Sequence, residues 1–106
     1  MGLAEEESQP VQKGTRPLPR QEAEALARQV PSWSLVNGKL EQEFHFKDFE
    51  EAMGFVERVA KIAREEDHHP DIEISYNKVR LDLSTHSIGG LSRNDFIVAA
   101  KIERLL

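Results

Sequence analysis

The stretch DHHPDIEISYNKVRLDLSTH, Asp67 to His86, decides how this chain folds. Pro70 disfavours helical geometry at His69, so the amphipathic run before it must end around Asp67 or His68. Ile72, Ile74 and Tyr76 then alternate with polar residues, as do Val79, Leu81 and Leu83, which is the period of strands with one buried face. Asn77-Lys78 between the two runs predicts a tight turn. A helix that stops, followed by a hairpin that leaves and returns, carries His86 back toward His68 and His69. Strict alternation sets His86 with Arg80, Asp82 and Ser84, away from the apolar face, unless the strand bends near Thr85.

Upstream, DFEEAMGFVERVAKIAREE opens with Asp48 and, three residues on, Glu51, a capping-box pair that satisfies free amides at a helix start. Phe49, Met53, Val56, Ala60 and Ala63 step by three and four, which predicts a core-facing stripe. Before it, WSLVNGKLEQEFHF holds Asn37-Gly38 between alternating flanks, the strongest short-range hairpin signal, because both turn positions need positive φ. Leu40, Phe44 and Phe46 share one face; His45 falls on the other with Glu41, Glu43 and Lys47. QEAEALARQV is rich in helix formers, with Leu26 and Val30 four apart and Pro31 ending the run. Downstream, Gly89-Gly90 breaks the chain. LSRNDFIVAAKIERLL then begins with Ser92 as cap and Asp95 as its partner, ahead of Phe96, Ala99, Ala100 and Leu106.

The order is therefore α-β-β-α-β-β-α, an α+β domain with an antiparallel sheet and its helices on one face. Residues 1–17 have few apolar side chains to offset the entropy of ordering them and read as a flexible N-terminal tail; residues 18–106 read as a single domain. With 106 residues, 39% of them hydrophobic, one core needs no metal or disulfide support. A net charge of −5 without a basic run argues against direct contact with nucleic acid. Cysteine is absent, so disulfides, thiolate nucleophiles and Cys-ligated metals are excluded. No apolar stretch approaches a membrane span, and the N-terminus has no signal-peptide pattern. A cytoplasmic protein without membrane contact is expected.

Adjacent imidazoles point about 100° apart on a regular helix and cannot converge, but at a helix end turned by Pro70 they can. Histidine is the side chain whose ordinary pKa of about 6.5 populates both protonation states near neutrality. His68, His69 and His86 together suggest general acid and base chemistry, a proton relay or metal binding. HH is an uncommon ligand spacing and HExxH is absent, so no metal site is expected. A serine nucleophile lacks a GxSxG elbow. The bland alternative is that His68 and His69 cap carbonyls at the helix C-terminus. Asp67 is a plausible orienter for one of the imidazoles.

These residues carry a resemblance to the pterin-4a-carbinolamine dehydratases. It spans most of residues 31 to 106: PSW ending at Trp33, FHFKDF from Phe44 to Phe49, DHHP from Asp67 to Pro70, YNKV from Tyr76 to Val79, LSTH from Leu83 to His86, and GGLS from Gly89 to Ser92. The resemblance implies a four-stranded antiparallel sheet with three helices on one face. It also implies a dehydratase that removes water from a 4a-hydroxytetrahydropterin to give quinonoid dihydropterin, without a metal or organic cofactor. The catalytic residues it implies are His68, His69 and His86, with His68 and His86 as acid and base and His69 mainly holding the pterin. Asp67, Ser84, Thr85 and Ser87 would join them in binding substrate. A homodimer or homotetramer is implied too. The alternative is a non-catalytic binding module that stabilises or assembles a partner protein's oligomer. The chain departs from the vertebrate pattern at Arg64, where those members carry Glu, and at Ile72, where they carry Trp. A carboxylate at position 64 and an aromatic wall at position 72 are therefore not carried over.

Overall fold

The computed structural model describes residues 2–106. Its main elements are α1 (Arg20–Ala27), β1 (Ser34–Val36), β2 (Lys39–His45), α2 (Phe49–Glu66), β3 (Asp71–Ser75), β4 (Lys78–Leu83) and α3 (Arg93–Glu103), with short 3-10 turns at Leu3–Glu5 and His86–Ile88. The α-β-β-α-β-β-α order is the expected one. The strands form one antiparallel sheet in the order β1-β2-β4-β3, with the helices on one face.

The first hairpin closes as the sequence requires. Val36 pairs with Lys39, and the two loop residues Asn37 and Gly38 take φ of 49° and 75°. The second turns one residue earlier than Asn77-Lys78: Ser75 pairs with Lys78, so Tyr76 and Asn77 make the turn and Tyr76 takes φ of 54°. Asn77 explains the shift. Its amide Nδ2 donates to the Phe46 carbonyl at 2.9 Å, and Phe46 N–H donates to the Asn77 carbonyl at 2.8 Å. Anchored to the end of β2, Asn77 leaves Lys78 to enter the ladder opposite His45.

Register then builds the core. Leu40 sits opposite Leu83 and Phe44 opposite Val79, all buried beneath the helices. The opposite face carries Glu41, Glu43, His45, Arg80 and Asp82. There Arg80 pairs with Glu73 at 2.8 Å and with Asp82 at 3.2 Å, and His45 meets Glu43 at 2.7 Å. On α2 the buried residues are Ala52, Phe55, Val59 and Ala63, so the core stripe is rotated from the one expected through Phe49 and Met53. The helix is apolar over an arc wider than one stripe, and the sheet selects the part centred on Phe55. That ring packs 4.7 Å from Phe44 and 5.0 Å from Phe46, centroid to centroid. Phe49 stays 42% exposed and stacks on Tyr76.

The N-terminal segment, expected from composition as a flexible tail, lies along α3; Met1 is outside the described residues. Leu3 is buried. Arg93 clamps the Glu6 carboxylate with two bonds of 2.7 Å, Arg104 meets Glu5 at 2.5 Å, and Lys101 Nζ donates to the Ala4 carbonyl at 3.0 Å. Asn94 then pairs with the backbone of Gln9 in both directions, at 3.0 and 2.6 Å. These anchors are mostly polar and distant in sequence, which a reading of apolar content does not register.

Candidate functional site

The site begins where α2 stops. Asp67 adopts the left-handed conformation, φ 50° and ψ 43°. His68 N–H reaches back to the Ala63 carbonyl at 3.1 Å and Asp67 N–H to that of Arg64 at 3.4 Å, the bond pattern of a Schellman ending. The carbonyl capping is thus done by backbone amides, which leaves the His68 ring for another partner. Its side chain is 11% exposed, and Nε2 lies 2.5 Å from Asp95 Oδ1.

Asp95 is fully buried in the first turn of α3. Its second oxygen, Oδ2, accepts from the Thr85 hydroxyl at 2.8 Å and from the Ser92 backbone N–H at 2.9 Å. The Ser92 hydroxyl lies 2.7 Å from that of Thr85. The capping role expected for Asp95 is therefore filled by one oxygen, while the other holds His68. An unpaired buried carboxylate would be very costly; here hydrogen bonds and the helix N-terminus offset the burial. A carboxylate only accepts, so His68 carries its proton on Nε2 and Nδ1 is the ring nitrogen left for a bound molecule. Asp67, expected as an orienter, is exposed at the rim, and Asp95 meets the ring instead. Nothing local pointed to Asp95 as the partner, because the pair is separated by 27 positions.

Asp67–Pro70 and Ser84–Ser87 face one another across a depression of about 260 Å³, with Asp71 at its edge. All seven residues expected at the site line it, His68, His69 and His86 among them. A bend at Thr85, the exception to strict alternation, is what delivers His86: Thr85 N–H bonds to the Gly90 carbonyl at 2.8 Å, its side chain turns inward, and the chain winds into the 3-10 turn at His86. His86 is 68% exposed, with Nε2 3.7 Å from Asp71 Oδ2. Arg64 and Ile72 do not line the depression. Among the described residues, no three His, Cys, Asp or Glu side chains gather in a metal-holding arrangement.

A second cleft of about 460 Å³ adjoins the first and shares His68, Asp67, Thr85 and Ser87 with it. Its outer wall is the N-terminal segment Ser8–Val11, which faces Glu65 and Glu66 at the end of α2. Glu66 accepts from the Ser8 backbone N–H at 2.8 Å and lies 3.5 Å from Lys101 Nζ. Charge is resolved further along the same segment: the hydrogen bond from Arg93 holds the Glu6 carboxyl below its ordinary range and in turn raises the guanidinium.

Residues 16–105 match the family profile described as pterin 4 alpha carbinolamine dehydratase. A Nitrosomonas eutropha protein bearing the provisional name pterin-4-alpha-carbinolamine dehydratase is 44% identical over 105 residues, 98% of this chain and 93% of its own. One from Rubrobacter xylanophilus with the same provisional name is 44% identical over 104 residues, 97% of each. A crystal structure from Brucella melitensis, described as a transcriptional coactivator/pterin dehydratase, superposes with a TM-score of 0.80 at 33% identity, covering 85% of this chain and 98% of that one. The fold, the histidine-bearing turn and these likenesses agree: the chain belongs to the pterin-4-alpha-carbinolamine dehydratase family.

Proposed function

We propose that residues 18–106 form a single cytoplasmic domain that dehydrates a 4a-hydroxytetrahydropterin to quinonoid dihydropterin. In that reaction the C4a–O bond breaks and the hydroxyl leaves as water after taking a proton. The N5–H proton is removed, and the C4a–N5 double bond forms. One acid and one base placed beside these atoms are each worth about 10²- to 10⁴-fold. The observation that carries the reading is the meeting of His68, His69 and His86 around one depression, with His68 fixed by Asp95.

His68, through Nδ1, and His86 exchange the two protons, and His69 holds the ring. Asp67, Ser84, Thr85 and Ser87 supply the remaining contacts, mostly through backbone groups. Thr85 also acts through Asp95, because its hydroxyl is already given to that carboxylate. The proton chemistry asks for no metal or organic cofactor. Stopped-flow dehydration of a freshly generated carbinolamine is the test. The protein should exceed the buffer-catalysed rate by orders of magnitude and keep that rate after exhaustive chelation; a rate equal to buffer rejects the enzyme.

A second role as a binding module is favoured by one surface. Phe49, Ile72, Ile74 and Tyr76 are 42%, 37%, 42% and 65% exposed, and Ile72 and Ile74 belong to the edge strand β3. An apolar strip beside an unpaired strand edge suits a homodimer or homotetramer, and a partner protein would meet the same chemistry. Among the described residues, no helix is long and apolar enough to cross a membrane. Ile74→Asp should lower the mass of the assembly in solution, and an unchanged mass would remove this surface from the account.

A further inference from the structure

We infer that the N-terminal arm, through Ser8–Val11, is the specificity wall for the substituent carried at C6 of the pterin ring. The inference rests on the dehydratase reading of the site. It starts from a segment that lies outside the residues matching the family profile, which begin at residue 16. In this chain the arm is built into the site: it closes the outer side of the 460 Å³ cleft, whose inner end is His68.

Ring chemistry links the two depressions. C6 is bonded to N5, so a ring placed with N5 and C4a at the histidines must send its C6 substituent out through space adjoining them. The cleft under the arm shares His68 and Thr85 with the histidine depression and provides that space. Val11 and Pro10 give the wall an apolar part, and Ser8, Gln9 and Asn94 a polar one. Glu65, Glu66 and Asp67 line the cleft as well; Glu66 is engaged by Ser8 and Lys101, whereas Glu65 and Asp67 are exposed, and no lysine or arginine is among the lining residues. An uncharged hydroxylated substituent suits these walls, whereas a phosphate or carboxylate would meet like charge.

The arm is fixed well enough to act as a wall. Asn94 holds the Gln9 backbone in both directions, Glu66 accepts from Ser8, and the Glu6–Arg93 clamp and buried Leu3 secure the chain just before. Every one of these anchors is made to α2 or α3, the helices that also carry His68 and Asp95 to the site. Displacing the arm would therefore open the cleft while leaving the His68–Asp95 pair in place.

The test compares carbinolamines bearing a hydrogen, a neutral dihydroxyalkyl chain, or the phosphate ester of that chain at C6. Wild-type protein should favour the neutral chain over its phosphate ester by roughly tenfold in kcat/KM, since juxtaposed like charges are costly. Val11→Trp should lower the ratio of kcat/KM for the dihydroxyalkyl substrate to that for the unsubstituted one by roughly tenfold, the scale of pocket-shape discrimination. Arg93→Ala, which frees Glu6 and lies outside the cleft lining, should lower the same ratio by at least about threefold, a smaller share of that discrimination. Ratios unchanged in both variants overturn the inference and leave the dehydratase standing. A wild-type protein inactive on all three substrates overturns the dehydratase, and the inference with it.

Discussion

His68 Nε2 and Asp95 Oδ1 lie 2.5 Å apart, although the residues are separated by 27 positions. The end of one helix is thereby tied to the start of another, and one imidazole has a fixed tautomer facing the cleft. Asp95→Asn keeps the shape but places a donor or a neutral acceptor against the ring, so the tautomer is no longer imposed. The expected result is a fall in kcat on the order of 10²-fold with KM changed little, within the worth of a single positioned acid or base. Steady-state dehydration kinetics check it, alongside a melting curve that confirms a folded variant.

The other two histidines should separate kinetically. His86→Ala removes a proton carrier and should lower kcat by about 10²- to 10⁴-fold. His69→Ala removes a ring contact and should act mainly on KM. If the two variants lose the same parameter by the same factor, their assigned roles are wrong.

Acid should release the N-terminal arm. The hydrogen bond from Arg93 lowers the folded-state pKa of Glu6 below its ordinary value of 4.5. A carboxylate whose folded pKa is depressed contributes its stabilisation above the unfolded value and loses it as pH falls through the folded one. Amide-exchange protection of residues 3–9 should thus hold at neutral pH and drop below pH 4.5. Glu6→Gln should reduce that protection at neutral pH and shrink the acid step, with Glu5 and Glu66 still holding the arm through Arg104 and the Ser8 N–H. Protection of the wild type that stays flat through the acid range would contradict the coupling.

Phe55 is the centre of the core, with no exposed surface and with the rings of Phe44 and Phe46 beside it. Phe55→Ala should cost about 3–5 kcal/mol, the range for deleting a buried aromatic ring. Urea unfolding measures it. A loss within the range of surface substitutions would mean that α2 is not clamped to the sheet at this point.

Much of this was legible from local rules. Asn37-Gly38 gave the first hairpin and its register, and Pro70 with the alternation after it gave the helix end and the returning strand that brings His86 to His68. Tertiary choices were not legible. The turn at Tyr76 depends on Asn77 bonding to the end of β2, and the rotation of α2 depends on which part of a wide apolar arc the sheet selects. At the site the histidines stood out because two are adjacent before a proline. Asp95 did not, since its helix-capping pattern accounts for only one of its oxygens. The arm's docking is not legible locally either: Glu6, Ser8 and Gln9 find their partners on α2 and α3, far along the chain.

The most direct test of the account is the single-turnover dehydration rate of a 4a-hydroxytetrahydropterin with His68→Ala beside the wild type. The expected result is a folded variant with unchanged oligomeric mass whose rate falls by at least about 10²-fold, the lower bound for a positioned acid or base. A His68→Ala protein that dehydrates the carbinolamine as fast as the wild type would contradict it.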